Sequence, residues 1–193
     1  MNIALIIAGG SGQRMGQDIP KQFLNVHDRP VIIYTLEAFE RHPNIDAIEV
    51  VCVDGWETIL TAYCKQFNIT KLENIVKGGD NGQSSIRNGI MDIASRHKPE
   101  DLVLIHDAIR PMVSEDIISD CIRVASKYGN AITSIPCMEA MLRTADGVSS
   151  REQIARDNLK RTQTPQAARL GELTEAHKRA LEVGITSSVA TCT

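Results

Sequence analysis

Aromatic residues are scarce in this chain: three Tyr, three Phe and one Trp among 193 residues. A core with so few rings must be aliphatic, and the stacking platforms that single-strand nucleic-acid binders present are missing. A basic excess is missing too. Lys and Arg number 21 against 24 Asp and Glu, a formal net charge of −3, whereas a phosphate-backbone binder needs surplus cations; no nucleic-acid partner is expected. The five cysteines, Cys52, Cys64, Cys121, Cys137 and Cys192, are odd in number, widely spaced and never in a C-x-x-C pair. That is the pattern of reduced thiols, not of a disulfide frame or a zinc site. The apolar run at residues 3–8 follows no positive charge and is too short for a signal peptide or a membrane span. The expectation is a cytoplasmic protein with no membrane partner.

What is present suffices for a packed core: 42% hydrophobic and 23% charged residues, in a length suited to one domain, residues 1–193. Short runs rich in Ile, Val, Leu and Ala alternate with stretches of helical period, which predicts an α/β fold with parallel strands joined by crossover helices. Strands are expected at 3–8, 47–53, 73–76, 101–106 and 131–135, without clean polar alternation, as in strands buried on both faces. Helices are expected at 30–41, 56–67, 84–96, 114–128 and 170–183. Pro30 suits a first helical position and Ser114 a cap. Residues 138–163 break the alternation: Arg143, Arg151, Arg156, Lys160 and Arg161 crowd a stretch poor in core residues, read as a projecting arm. Right-handed crossovers gather the loops after the strands at one sheet edge, where open α/β sheets bind ligands.

The segment AGGSGQRMGQDIPKQF, residues 8–23, directly follows the first strand. Glycines at a strand exit let backbone N–H groups approach an anion unobstructed, and Arg14 and Lys21 stand on the same loop. Two common phosphate signatures do not fit. A dinucleotide fingerprint from Gly10 requires glycine where Met15 stands, and no G-K-[ST] of a Walker A loop is present. Three further segments follow in order: GGDNGQSSIRNG at 78–89, HDAIRP at 106–111 and QTPQ at 163–166.

Together these four segments resemble the nucleotidyltransferases that activate phosphorylated polyols, and within them the cytidylyltransferases for methylerythritol phosphate and ribitol phosphate. The resemblance spans essentially the whole chain. It implies a three-layer, doubly wound, mostly parallel sheet of Rossmann-like nucleotidyltransferase type, with the arm at 138–163 serving a homodimer. It implies CTP and a polyol phosphate as substrates, Mg²⁺ as cofactor, and a CDP-polyol and pyrophosphate as products. By motif position, Arg14 and Lys21 contact the triphosphate as catalytic cations; Ala8, Gly9, Gly10 and Gly12 offer backbone to the nucleotide; Gly79, Asp80 and Ser85 serve cytosine and ribose. Asp107 matches the carboxylate holding Mg²⁺. Arg156, reaching into the partner's site, and Thr164 match the polyol-phosphate contacts. Arg110 is assigned either to the phosphate site or to the loop carrying Asp107, and His106 to structure, since neighbours on a strand point opposite ways.

The match departs from the family pattern at Gly82, where arginine is frequent, at Ala140, where threonine is common, and at Ala190, at an acidic position. The sequence ends at Thr193, before a segment whose lysine serves phosphate in relatives, so either a truncated chain or a gene product that has lost full activity is expected. Two rivals remain open on the residues: a purine-type relative such as a molybdopterin guanylyltransferase, which shares the A-G-G-x-x-x-R-M-G start, and a nucleotide-binding module without turnover.

Overall fold

A computed structural model describes residues 1–10 and 19–185; Gly12, Arg14, Ala190 and Cys192 lie outside that range. The central sheet has six strands: β1 (Asn2–Ala8), β4 (Ala47–Cys52), β5 (Leu72–Lys77), β6 (Leu102–Asp107), β7 (Asn130–Pro136) and β10 (Lys160–Arg169). Their order is β5-β4-β1-β6-β10-β7. Two short ribbons stand apart, β2 (Asn25–Val26) with β3 (Arg29–Pro30), and β8 (Met141–Arg143) with β9 (Glu152–Ile154). The helices are α1 (Val31–Arg41), α2 (Glu57–Gln66), α3 (Gly82–Ala94), α4 (Glu115–Tyr128) and α5 (Leu170–Glu182).

The strand sequences explain the layering. Alternate residues of β1 enter opposite cores: Ala4, Ile6 and Ala8 pack with Ile32, Leu36 and Phe39 of α1, Leu60 of α2 and Ile118 of α4. Ile3 and Leu5 pack with Ile90 and Ile93 of α3 and Leu170 and Leu173 of α5. A strand covered on both sides has no use for a polar alternation. At Gly89 of α3 an added Cβ would lie 2.6 Å from Leu5 Cδ1 and 2.8 Å from Val51 Cγ2, so helix and sheet touch there because glycine lacks a side chain.

All five expected strands form, and β1 pairs in parallel with both β4 and β6. The chain moves outward from β1 to β4 and β5, then returns through α3 to β6 on the other side. The strand order therefore reverses between β1 and β6, and the crevice at their carboxyl ends is where such sheets take ligands.

Four sequence expectations need correction. The strand β10 was not anticipated: it runs antiparallel between β6 and β7. Its sequence KRTQTPQAAR shows no apolar run, and Pro165 argues against an interior strand; the register shifts between Thr162 and Gln166, where a missing N–H is tolerated. Residues 160–163 of the expected arm consequently belong to this strand, opposite Pro136, Ile135 and Ser134. The rest of that stretch holds the β8–β9 hairpin, whose turn is organised by Asp146: its Oδ1 accepts the N–H groups of Val148 and Ser149 and the Thr144 hydroxyl. Pro30 is the N-cap of α1, not its first helical residue, and α3 begins at Gly82 because Asn81 and Ser84 form a reciprocal capping box.

The described cysteines, Cys52, Cys64, Cys121 and Cys137, are buried. Burial pushes the Cys52 and Cys64 thiols up to about 12, which keeps them protonated and inert. No described helix is long and apolar enough to cross a membrane.

Candidate functional site

The glycine-rich exit of β1 faces the loop after β5 at close quarters. A Cβ on Gly9 would stand 3.1 Å from Ser85 Oγ, and one on Gly78 would stand 3.2 Å from the Gly9 Cα. A Cβ on Gly79 would meet Ser84 Oγ at 2.3 Å. Side chains are thus excluded where two backbones must converge. Between them opens a cleft of about 690 Å³, a size that accommodates a nucleotide. Ala8, Gly9, Gly10, Lys21, Gly79, Asp80, Ser85 and Asp107 all line it, so residues a hundred positions apart in the sequence share one wall.

Each element places its residues for a local reason. Lys21 opens a three-residue 3₁₀ turn closed by the Phe23 N–H on the Pro20 carbonyl at 2.8 Å. Phe23 stacks on Trp56, ring centroids 4.6 Å apart, which fastens the turn to the start of α2. Ser85 is buried; its Oγ accepts the Gly79 N–H at 3.0 Å and shapes the loop. The N-terminus of α3, at Gly82, also borders the cleft and favours negative charge. A Cβ at Gly82 would meet nothing within 4 Å; packing does not demand glycine there.

Asp107 ends β6 and is held on two sides. Its backbone N–H donates to Thr164 Oγ1 at 3.3 Å, and its Oδ2 accepts Arg110 Nε at 2.7 Å. Arg110 also reaches Gln163 Oε1 at 2.7 Å. Of the two roles open to Arg110, the geometry is that of loop support. Thr164 likewise spends its hydroxyl on the Asp107 backbone. His106 is 1% exposed, tilted against Phe39, with Nε2 3.0 Å from the Arg110 carbonyl. Only a protonated Nε2 can donate there, and burial pushes the imidazole pKa down, so His106 is a neutral strut of the same loop. Arg156 stands outside the cleft, at the base of the arm, donating to the Met138 carbonyl at 3.1 Å.

Cleft residues that sequence reasoning did not assign include Asp54, Lys77 and Gln22. Asp54 and Lys77 leave β4 and β5 side by side and pair at 2.9 Å. Gln22 is 1% exposed, and its amide nitrogen serves the carbonyls of Ala8 and Gly10 at 2.7 and 3.0 Å. Nothing in P-K-Q-F marks that glutamine as buried, because its partners are backbone carbonyls twelve and fourteen residues earlier.

The described lining carries three carboxylates, Asp54, Asp80 and Asp107, against two ammonium groups, Lys21 and Lys77. Among described residues no three His, Cys, Asp or Glu cluster as a metal cage. Asp107 is one of three described cleft carboxylates that could offer oxygen to Mg²⁺, an ion commonly held by one or two carboxylates with substrate phosphates and water completing its shell.

Residues 2–191 match the family described as IspD: 2-C-methyl-D-erythritol 4-phosphate cytidylyltransferase. The chain is 40% identical, over its whole length and 83% of the relative's, to a ribitol-5-phosphate cytidylyltransferase of Lacticaseibacillus paracasei. It is 36% identical, over 92% of its length and 76% of the relative's, to a 2-C-methyl-D-erythritol 4-phosphate cytidylyltransferase of Syntrophotalea carbinolica. The crystal structure of the Francisella tularensis 2-C-methyl-D-erythritol 4-phosphate cytidylyltransferase superposes with a TM-score of 0.79 at 27% identity, covering 100% of this chain and 85% of that one. The chain belongs to this cytidylyltransferase family.

Proposed function

We propose that this family member transfers CMP from CTP to a small polyol phosphate, releasing pyrophosphate, with ribitol 5-phosphate as first candidate and 2-C-methyl-D-erythritol 4-phosphate as second. The observation that carries the reading is the convergence of Gly9, Gly10, Lys21, Gly79, Ser85 and Asp107 on one cleft at the sheet's switch point. The order of the two polyols follows the relative at 40% identity, matched along the whole chain and named for ribitol 5-phosphate.

In the reaction an oxygen of the polyol phosphate attacks the α-phosphorus of CTP; that P–O bond forms as the bond to pyrophosphate breaks. Two anions must meet, so the chain's work is positioning and charge stabilisation. Backbone N–H groups at Gly9 and Gly10 and the start of α3 cradle phosphate, and Lys21 sets an ammonium against it. Arg14 belongs with Lys21 by motif position. Gly79, Asp80 and Ser85 take the cytosine and ribose. Asp107 would hold Mg²⁺, which would supply positive charge beside a described lining of three carboxylates and two ammonium groups. The arm joins two copies, and Arg156 of each reaches the polyol phosphate in the other, where a planar guanidinium grips phosphate bidentately.

Purified protein given CTP, Mg²⁺ and either polyol phosphate should release pyrophosphate, with ribitol 5-phosphate giving the higher kcat/KM. Turnover with GTP in preference to CTP would overturn the nucleotide assignment.

A further inference from the structure

We infer that Gln22 is a positioning residue that turns the Ala8–Gly10 backbone into an anion site and ties it to Lys21. The inference rests on the reading that the cleft takes CTP. The carbonyls of Ala8 and Gly10 both accept from one Gln22 Nε2, at 2.7 and 3.0 Å, and that side chain is 1% exposed. The Ala8 carbonyl also accepts the Val53 N–H at 3.1 Å. In a trans peptide the C=O and N–H point in opposite directions. With the Ala8 carbonyl held by both the Gln22 amide and the Val53 N–H, the Gly9 N–H is sent to the other side. Two partial negative charges that would repel a triphosphate are thereby occupied by a donor.

Gln22 is also the middle residue of the 3₁₀ turn that begins with Lys21, and Phe23 after it is stacked on Trp56. One side chain thus fixes the separation between the ammonium group and the backbone cradle. Only a carboxamide fits these demands at this volume: its NH₂ has two protons for two carbonyls, whereas an ionised carboxylate has none. A glutamate here would place a charged acceptor against two carbonyls.

The test compares wild type with Gln22→Glu and Gln22→Met. CTP binding is followed through Trp56, the single tryptophan, and steady-state kinetics are measured with each substrate varied. Gln22→Glu should raise KM for CTP by about ten- to a hundredfold, with KM for the polyol phosphate little changed. Acidification that protonates the introduced carboxyl, and so restores a donor, should recover part of the CTP affinity in Gln22→Glu relative to wild type. Gln22→Met, which loses the donors without adding charge, should be impaired less and show no such recovery; it carries the test by itself if Gln22→Glu does not fold. Unchanged KM for CTP in either variant overturns the inference, as does an equal loss for both substrates. Wild-type protein that binds no CTP would refute the reading of the cleft itself.

Discussion

At the residue scale, groups that line the cleft are distinct from the groups that brace them. Lys21 lines the cleft, and in the proposed role removing such an electrostatic group typically costs about 2.7–4 kcal/mol of transition-state stabilisation. Lys21→Ala should therefore lower kcat by roughly a hundred- to a thousandfold while the melting midpoint stays near wild type, as read by pyrophosphate release and calorimetry. Glu49, away from the cleft, behaves differently. It is 1% exposed, pairs with Arg96, and its Oε1 has no partner. Burial first, and Asp92 second, push its carboxyl up to about 8. The folded state then keeps a proton that the unfolded chain loses near the ordinary carboxylate range, so stability falls as pH rises from there to about 8, by up to about 1.4 kcal/mol per pH unit. Glu49→Gln should flatten that fall, measured as urea midpoints at acid and alkaline pH; an unchanged slope would show that Glu49 is ionised throughout.

At the element scale, legibility followed how the chain is buried. Strands β1, β4 and β6 are enclosed on both faces, which favours runs dense in apolar residues that are visible in the sequence even though β4 carries the buried Glu49 and β6 ends in His106 and Asp107. The helix α4 announced itself through Ser114, whose hydroxyl accepts the Ile117 N–H. Strand β10 stayed hidden because only Gln166, Ala167 and Ala168 near its end, with Pro165, lie deep, and alanines carry little strand signal. The cleft was legible where glycines and a lysine announced phosphate chemistry. Gln22 and the Arg110–Gln163 brace were not, because their partners are backbone atoms or residues far along the chain. Gly89 gives an element-scale test. With Leu5 and Val51 both fully buried, a methyl there has no room, and overpacking of this kind costs about 1–3 kcal/mol. Gly89→Ala should lose most of that range in urea unfolding despite its better helix propensity.

At the scale of the whole molecule, the proposed exchange of Arg156 between copies makes each site a composite. Lys21→Ala and Arg156→Ala should each be nearly inactive alone. Mixed in equal amounts and allowed to exchange subunits, half the dimers pair one of each and contain one site with both residues, so activity should recover to about a quarter of wild type by symmetry. No recovery, with subunit exchange verified, would place Arg156 in its own subunit's chemistry or none.

Strand β10 links these scales. It leaves the arm just after Arg156, pairs along β7, and delivers Gln163 and Thr164 to the Asp107 loop. Extended backbone advances about 3.3 Å per residue and alternates its faces, so this stretch works as a ruler between the guanidinium at one end and the carboxylate at the other. One inserted residue would lengthen it and turn Thr164 to the opposite face, whereas the exposed turn around Asp146 touches neither end. Length variation among such chains has somewhere to go at the hairpin tip and nowhere to go along the ruler.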